Sequence, residues 1–429
     1  MKKLFTTLLM SYTFIFTSAQ IIHVPTHQPT IQSCINAAIT GDTVLVDIGT
    51  YYENINFYGK AITVASNFIL NGDTNYINNT IIDGSQPSNP DYASVVSFTT
   101  SEDTTSIISG FTITGGTGLL DASIPARLGG GIVCINASAK ILHNKIIANE
   151  VDNQTAAFGA GIACAIYLQS NWIVIEHNVI ADNYCHAIDA IAQGGGIYIG
   201  ENTGDNIELR ARVSYNIIEN NNCYSDQNHQ NRADGGGIKI EGSDGVNSIL
   251  YFNNNFVKNN YIRGYSTRGA GLCGISAGAD IENNVFSGNY FDETSIQFRG
   301  AAIAFKNPYH RVNIIENQIS NNVSPMNIED CTGAVSILDS YETEVVVNGN
   351  FFTNNVSYYG GAFDTRSCYN LTVSNNLFSG NSANQGGAVA LYHSSGGESS
   401  LPLIVNNTFF GNTASYAGGA IRFNGELNA

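Results

Sequence analysis

Charge is scarce in this chain, and positive charge scarcer still. Only 12% of the 429 residues are Asp, Glu, Lys or Arg, and 18 Lys and Arg stand against 35 Asp and Glu, a net charge of −17. Nucleic acid and anionic membrane surfaces are held by clustered Lys and Arg, so neither is an expected partner. Long apolar runs are also lacking. The one such run, Leu4 to Phe16, lies between Met1-Lys2-Lys3 and Thr17-Ser18-Ala19. It is too short for a stable membrane span and has the form of a secretory leader cleaved after Ala19. The chain therefore reads as exported, secreted or held at the cell surface, with no transmembrane segment.

Several chemical signatures are absent. There is no Cys-x-x-Cys, which removes the usual frame for structural zinc, and no metal site is expected. The paired aspartates and Gly-His-Gly of polygalacturonase-like hydrolases are missing, as is the Gly-Gly-x-Gly-x-Asp calcium repeat. No tight acidic cluster of the kind that holds calcium in pectate-lyase-type sites appears. No cofactor is expected, and calcium enters only if the chain is a lyase. Disorder is excluded by 10% aromatic and 43% hydrophobic residues, enough apolar material for a continuous core.

What is present is a repeat. Nine times the chain reads Asn, any residue, a large apolar residue, two more, then Asn, starting at Asn144, Asn178, Asn216, Asn255, Asn284, Asn317, Asn350, Asn376 and Asn407. The apolar residue runs from Ile146 to Phe409 and the closing residue from Asn149 to Asn412. Small-residue turns separate the copies, as at Gly194-Gly195-Gly196-Ile197 and Gly386-Gly387-Ala388-Val389. A period of about 26 to 39 residues in a strand-rich chain means stacked rungs. At about 4.8 Å per rung, equivalent positions form columns. The apolar column points inward, and the Asn columns hydrogen-bond from rung to rung while occupying the left-handed turns.

Ahead of the repeats, Pro29 to Ala38 predicts a short amphipathic helix with Ile31, Cys34, Ile35 and Ala38 on one face. Strand-like runs follow at Thr43–Asp47, Ile62–Ala65, Thr80–Ile82, Ser94–Phe98 and Ile107–Thr114. Residues 1–19 are assigned to the leader, 20–60 to a cap with the first strands, and 61–429 to the repeats. The last strand follows a Gly-Gly-Ala turn and reads as a truncated or uncapped rung.

The segment Ile31 to Ala65, with its helix running into Thr43-Val44-Leu45-Val46-Asp47, resembles the opening of secreted right-handed parallel β-helix proteins of the pectin-lyase-like superfamily. The Gly-Gly-Ala-Ile turns and the pairs Phe286–Asn289 and Phe378–Asn381 are similar to the passenger repeats of chlamydial polymorphic outer-membrane proteins. The resemblance implies an all-β, right-handed parallel β-helix with a short N-terminal capping helix. It is silent on activity, because that superfamily includes lyases, hydrolases, adhesins and inert scaffolds.

Eight cysteines in an exported chain raise the question of disulfides. Register places Cys134 beside Cys164 and Cys185 beside Cys223 on neighbouring rungs, close enough for bonding. Packing as small hydrophobes in an inward column is the competing reading. Three motifs are coincidental on context: Gly274-Ile275-Ser276-Ala277-Gly278 lacks the helix a nucleophile elbow requires, and so does the glycine pattern Gly269, Gly271, Gly274. His177, near Trp172, falls in a turn column shared with His143, Tyr215, Asn254 and Glu316.

If a site exists, it belongs on the outward face of the strand after each glycine turn, which carries Lys239, Glu241, Lys306, Asp364, Arg366, Tyr392 and Arg422. Lys306 and Arg366 fall two rungs, roughly 10 Å, apart. In a lyase, Lys306 would be the base, with Arg366 the carboxylate clamp and Lys239 beside them. Glu241, Asp364, Tyr392 and Arg422 would bind substrate. The plain alternative is a solvated face of mixed charge. Two function classes follow: a non-catalytic, adhesin-like repeat protein that binds a polysaccharide or a cell-surface partner, and a lyase or glycoside hydrolase acting on a uronate-containing polysaccharide.

Overall fold

The structure is a computed structural model that describes residues 18–424, apart from 122, 168–170, 202–206, 227–230, 245–247, 327, 330, 341–342, 369 and 393–401. Most of the leader and the last five residues thus lie outside the described residues. Among the described residues, three parallel sheets of 13, 12 and 12 strands run the length of the molecule; we name them A, B and C. The architecture is a right-handed parallel β-helix, as the repeat implies.

One rung shows the path. Ile197–Glu201 lies in sheet C, Leu209–Ser214 in sheet A and Ile217–Glu219 in sheet B. The chain then leaves the barrel along Asn222–Ser225, returns along Arg232–Asp234, and re-enters sheet C at Ile238–Glu241. The outgoing strands stack as a sheet E and the returning strands as a sheet D, so the rungs carry a side fin. Two cores result. Sheets A, B and C enclose the inward columns, among them Ile146, Ile180, Ile218, Val257, Phe286, Ile319, Phe352 and Phe378. The fin encloses a second core of Val151, Cys185, Cys223, Ile262 and Phe291 on one side and Ala157, Ala192, Ala233 and Phe298 on the other. Phe352, Phe378 and Phe409 stack face to face, with centroids 4.8 and 4.9 Å apart.

The Asn columns explain the rigidity of the repeat. The backbone N–H of Asn216 donates to Asn255 Oδ1 at 2.9 Å, and its Nδ2 donates to the same oxygen at 3.1 Å. Asn216 Nδ2 also donates to Ile175 O on the preceding rung at 2.9 Å. The same links join every consecutive pair from Asn144 to Asn407 and from Asn149 to Asn412. Each buried amide is thereby satisfied, which is what burial of a polar group demands. The expected backbone role needs correction. The left-handed residue is the one before each Asn: His143, His177, Tyr215, Asn254, Asn283, Glu316, Asn375 and Asn406 all have φ between 55° and 59°. The ladder position is conserved in type for its side-chain amide, so the strain falls on its neighbour.

At the other corner the first glycine of each turn is left-handed (Gly194, φ 68°). The second is glycine or alanine (Ala160, Ala270, Ala301), and in the turn at Gly195 a Cβ would sit 2.4 Å from Gly236 O on the next rung.

The capping helix spans Ile31–Ala37, inside the expected bounds, and buries Ile31, Cys34 and Ile35. Thr30 caps it through Ser33 N, the Glu53 carboxylate accepts from the N–H groups of Ile31 and Gln32, and Lys60 Nζ donates to the carbonyls of Ile35, Asn36 and Ala38. Opposite charges thus sit at opposite ends of the helix dipole. A strand at Ile21–Val24, paired with Thr43–Val46, and short helices at Phe68–Asn71 and Asn75–Asn79 were not expected from the sequence. No helix among the described residues is long and apolar enough to cross a membrane.

All eight cysteines are free and buried. The disulfides considered for Cys134–Cys164 and Cys185–Cys223 are therefore not formed, although both pairs are in direct register on adjacent strands. Cys134 and Cys164 continue the inward column of Ile199 and Ile240, and Cys185 and Cys223 continue that of Val151 and Ile262. Each thiol takes the place of an aliphatic side chain in close packing.

Candidate functional site

The outer face of sheet C is not an open surface. Sheet D returns against it as far as Gln297–Arg299, and beyond that a three-stranded sheet of Val356–Tyr359, Ser382–Gln385 and Thr413–Ala417 continues the wall, so that a re-entrant corner runs along the molecule as a groove. Its far wall is the last residue of each sheet D strand: Leu128, Phe158, Gln193, Asp234, Arg268 and Arg299 in register. Its near wall carries two outward columns of sheet C. One holds Tyr198, Lys239, Cys273, Ala304, Ser336, Asp364, Ala390 and Arg422. The other holds Glu241, Ile275, Lys306, Leu338, Arg366 and Tyr392.

All seven candidate residues therefore lie on one continuous strip, but at different depths. Lys239 and Asp364 are completely buried, whereas Glu241, Lys306, Arg366, Tyr392 and Arg422 are half-buried. The fin covers Lys239, whereas Asp364 lies beyond the last fin strand, beneath Arg366 and in register with the buried Ser336 and Ala390. Strip and charge also coincide: Lys239, Arg268, Arg299, Lys306, Arg366 and Arg422 are six of the 18 Lys and Arg in the chain. Only Asp234, Glu241 and Asp364 oppose them on these columns. The groove is a cationic seam in an acidic molecule.

Three stretches differ in chemistry. The first is apolar, with Leu119, Leu128, Val133, Ala163, Ala165 and Tyr198 packed together. In the second, buried Asp234 holds Arg232 at 2.7 Å and Arg268 at 3.8 Å. Burial alone would push the Asp234 carboxyl up; Arg232, Arg268 and Lys239 outweigh it and hold the group below the usual range. Lys239 Nζ lies 3.8 Å from Glu241, which also accepts from Gln193 Nε2 at 3.1 Å. Beside them a cavity of about 510 Å³ is lined by Arg232, Glu241, Asp244 and the stacked rings of Phe158 and Tyr198. Cys273 is no nucleophile here, since burial pushes its thiol up to about 12.

The third stretch joins cations to aromatic rings. The Arg366 guanidinium lies 5.5 Å from the Tyr359 ring and 5.6 Å from the Tyr392 ring, within cation–π range. Beneath it, Asp364 accepts from Ser336 Oγ at 3.4 Å. Burial pushes the Asp364 carboxyl up to about 6, against the opposing pull of Arg366 and Arg299. Arg422 donates to Gln385 Oε1 and sits 6.0 Å from the Tyr416 ring. Lys306 makes no ion pair among the described residues, and register puts it two rungs from Arg366.

The motifs expected to be coincidental are so. Ser276 sits in a turn between strands Leu272–Ile275 and Gly278–Glu282, and its hydroxyl donates to Asp244. His177 is stacked between His143 and Tyr215 at 4.8 and 4.9 Å, in the left-handed turn column. Among the described residues no group of three His, Cys, Asp or Glu is placed to hold a metal ion.

A second surface was not anticipated. The outer face of sheet E carries Tyr184, Tyr224, Tyr261 and Tyr290 with Arg263, around a cavity of about 280 Å³. His186 there lies between Asp152 at 3.0 Å and Asp226 at 3.4 Å and stacks on Tyr224. The signal was present: Val151, Cys185, Cys223, Ile262 and Phe291 each fall seven residues after a ladder Asn, which marks an inward column and so an outward pair beside it. Comparison with known protein families, with characterised proteins and with solved structures finds no match to this chain.

Proposed function

We propose that this is an exported repeat protein that binds an extended glycan non-catalytically along the groove between sheets C and D. The observation that carries the reading is the placement of Arg366 over Tyr359 and Tyr392, in one column with Lys306 and beside the column of Arg422, inside a molecule that is otherwise acidic. Planar cations beside aromatic rings suit a sugar polymer that carries anionic groups: the ring takes the apolar face of a sugar and the guanidinium takes a carboxylate. A groove open along its length suits a polymer better than a small molecule.

The second reading, a polysaccharide lyase, has one specific support. Lys306 makes no ion pair among the described residues, and Arg366 stands two rungs away in the same column. In that reading Lys306 takes the proton next to the uronate carboxylate, and Arg366 holds that carboxylate.

One experiment separates them. The mature protein is incubated with pectate, alginate and glycosaminoglycans, with and without calcium, and both retention on the immobilised polymer and ultraviolet absorbance from unsaturated uronate products are followed. Retention with a flat absorbance trace, lost on Arg366→Ala, supports binding. A rising trace abolished by Lys306→Ala makes the chain a lyase. Retention unaffected by substitutions of Arg366 and Arg422 overturns the groove as the site.

A further inference from the structure

We propose that the glycan of this groove carries one anionic group per disaccharide, with an uncharged sugar between charged ones. The inference rests on the groove reading above and comes from the register of its cations.

Five successive strands of sheet C, Ile303–Lys306, Val335–Leu338, Phe363–Arg366, Val389–Tyr392 and Ile421–Asn424, present their outward residues to the groove. The first, third and fifth each contribute one base: Lys306, Arg366 and Arg422. The second and fourth contribute none; their outward residues are Ser336 with Leu338, and Ala390 with Tyr392. The opposite wall adds a base on the first of these rungs and none on the others. Arg299 faces the first of these rungs, Thr332 the second, Tyr359 the third and Gln385 the fourth. On the sheet C wall guanidinium and ammonium groups thus recur every second rung, and the intervening rungs offer an amide, a phenol and aliphatic carbon, with Ser336, Thr332 and Ala390 buried beneath.

Rungs rise about 4.8 Å, so the cation repeat is on the order of 10 Å, comparable to an extended disaccharide. A polymer charged on every sugar would set one anion in two against Leu338 or the Tyr392 ring, desolvated and without a counter-ion. A polymer charged on alternate sugars meets a base at each anion. It lays its neutral residues over the rung of Leu338 and over the Tyr392 ring, where the Gln385 amide can donate to a hydroxyl. Arg422 rises from the column next to that of Lys306 and Arg366 and reaches Gln385 with its guanidinium, so the third contact lies nearer the sheet D wall.

Binding of the mature chain to size-defined oligosaccharides tests this by calorimetry. The probes are hyaluronan, with one carboxylate per disaccharide; κ-carrageenan, with one sulfate per disaccharide; oligogalacturonate, with a carboxylate on every sugar; and uncharged dextran. An alternating-charge hexasaccharide should bind roughly tenfold tighter than the tetrasaccharide, because only the longer chain spans three cations. Whichever of hyaluronan and κ-carrageenan binds more tightly identifies the anion as carboxylate or sulfate. Lys306→Ala, Arg366→Ala and Arg422→Ala should each weaken the alternating ligand roughly tenfold and flatten its salt dependence. Lys258→Ala, which removes a base paired with Glu219 on sheet B, should leave binding unchanged. Circular dichroism shows whether each variant is folded. Equal or tighter binding of oligogalacturonate overturns the alternation and leaves the groove reading standing. Failure of every acidic oligosaccharide to bind the folded protein overturns the groove reading and this inference together.

Discussion

Replacing Asp364 by Asn should stabilise the protein at neutral and alkaline pH and do nothing at acid pH. Asp364 is fully buried on the groove strand Phe363–Arg366, and its carboxyl is pushed from an ordinary 3.8 to about 6. The cause is desolvation, which the nearby Arg366 and Arg299 offset only in part. A carboxyl whose pKa is raised by folding binds its proton more tightly in the native state than in the unfolded chain. Native stability is then complete below pH 3.8, falls as pH rises through about 6, and stays lowered above it. A shift of two units corresponds to about 3 kcal/mol, an order-of-magnitude figure for the loss between acid and neutral solution. Asn keeps the shape and one hydrogen-bond acceptor but carries no charge, so it escapes that loss. The assay is urea unfolding of both proteins by circular dichroism from pH 4 to pH 8. The midpoints should converge near pH 4 and separate above pH 6, with the variant the more resistant. A difference that stays constant with pH, or a variant weaker at pH 8 than at pH 4, would refute the assignment of Asp364 as a desolvated, weakly compensated acid.

The ladder gives the second expectation. Asn255→Ala removes the acceptor for two donors of Asn216 and the donor to Val213 O, all buried, and should cost about 2–4 kcal/mol; a midpoint shift worth under about 1 kcal/mol would show that the amides are not stabilising. The third concerns redox state. Thiol titration in denaturant should count eight free thiols, and a count of six would place a disulfide in one of the two registered pairs.

How much of this was legible follows from which residues repeat. The ladder Asn and the inward apolar residues recur because each touches only its own copy one rung above and below, so the same residue type suits every rung. The glycine turn repeats for the same reason, with Gly236 O lying 2.4 Å from where a Cβ on Gly195 would be. Register alone then paired Cys134 with Cys164 and Cys185 with Cys223 correctly. The disulfide question did not follow from register, because a column that wants a small apolar side chain accepts a thiol as readily as alanine. The fin was hidden for a different reason. Its loops vary in length, so Asn178 and Asn216 are 38 residues apart and Asn350 and Asn376 only 26, and no fixed period marks its strands. Without the fin, the outward column of sheet C looks solvated. The burial of Lys239 comes from a neighbour far along the rung and could not be read from its own strand. The left-handed turns were placed one residue late, because Asn tolerates that conformation and draws attention from the His, Tyr and Glu that adopt it.

The Asn ladder also gives the solenoid a direction. At every Asn–Asn link the rung nearer the N-terminus supplies the N–H groups and the rung nearer the C-terminus supplies the side-chain oxygen, while the Nδ2 of that later Asn donates back to a main-chain carbonyl of the rung before it. A partly built stack therefore displays at its open end both the Asn N–H groups and the main-chain carbonyl that await the next Asn. The next rung answers both with one amide, its oxygen accepting and its Nδ2 donating, and displays the same pair of its own. Growth from the N-terminal cap is in this sense templated and vectorial. It proceeds in the order in which a chain leaves a ribosome or crosses a membrane, with each finished rung serving as the mould for one not yet formed.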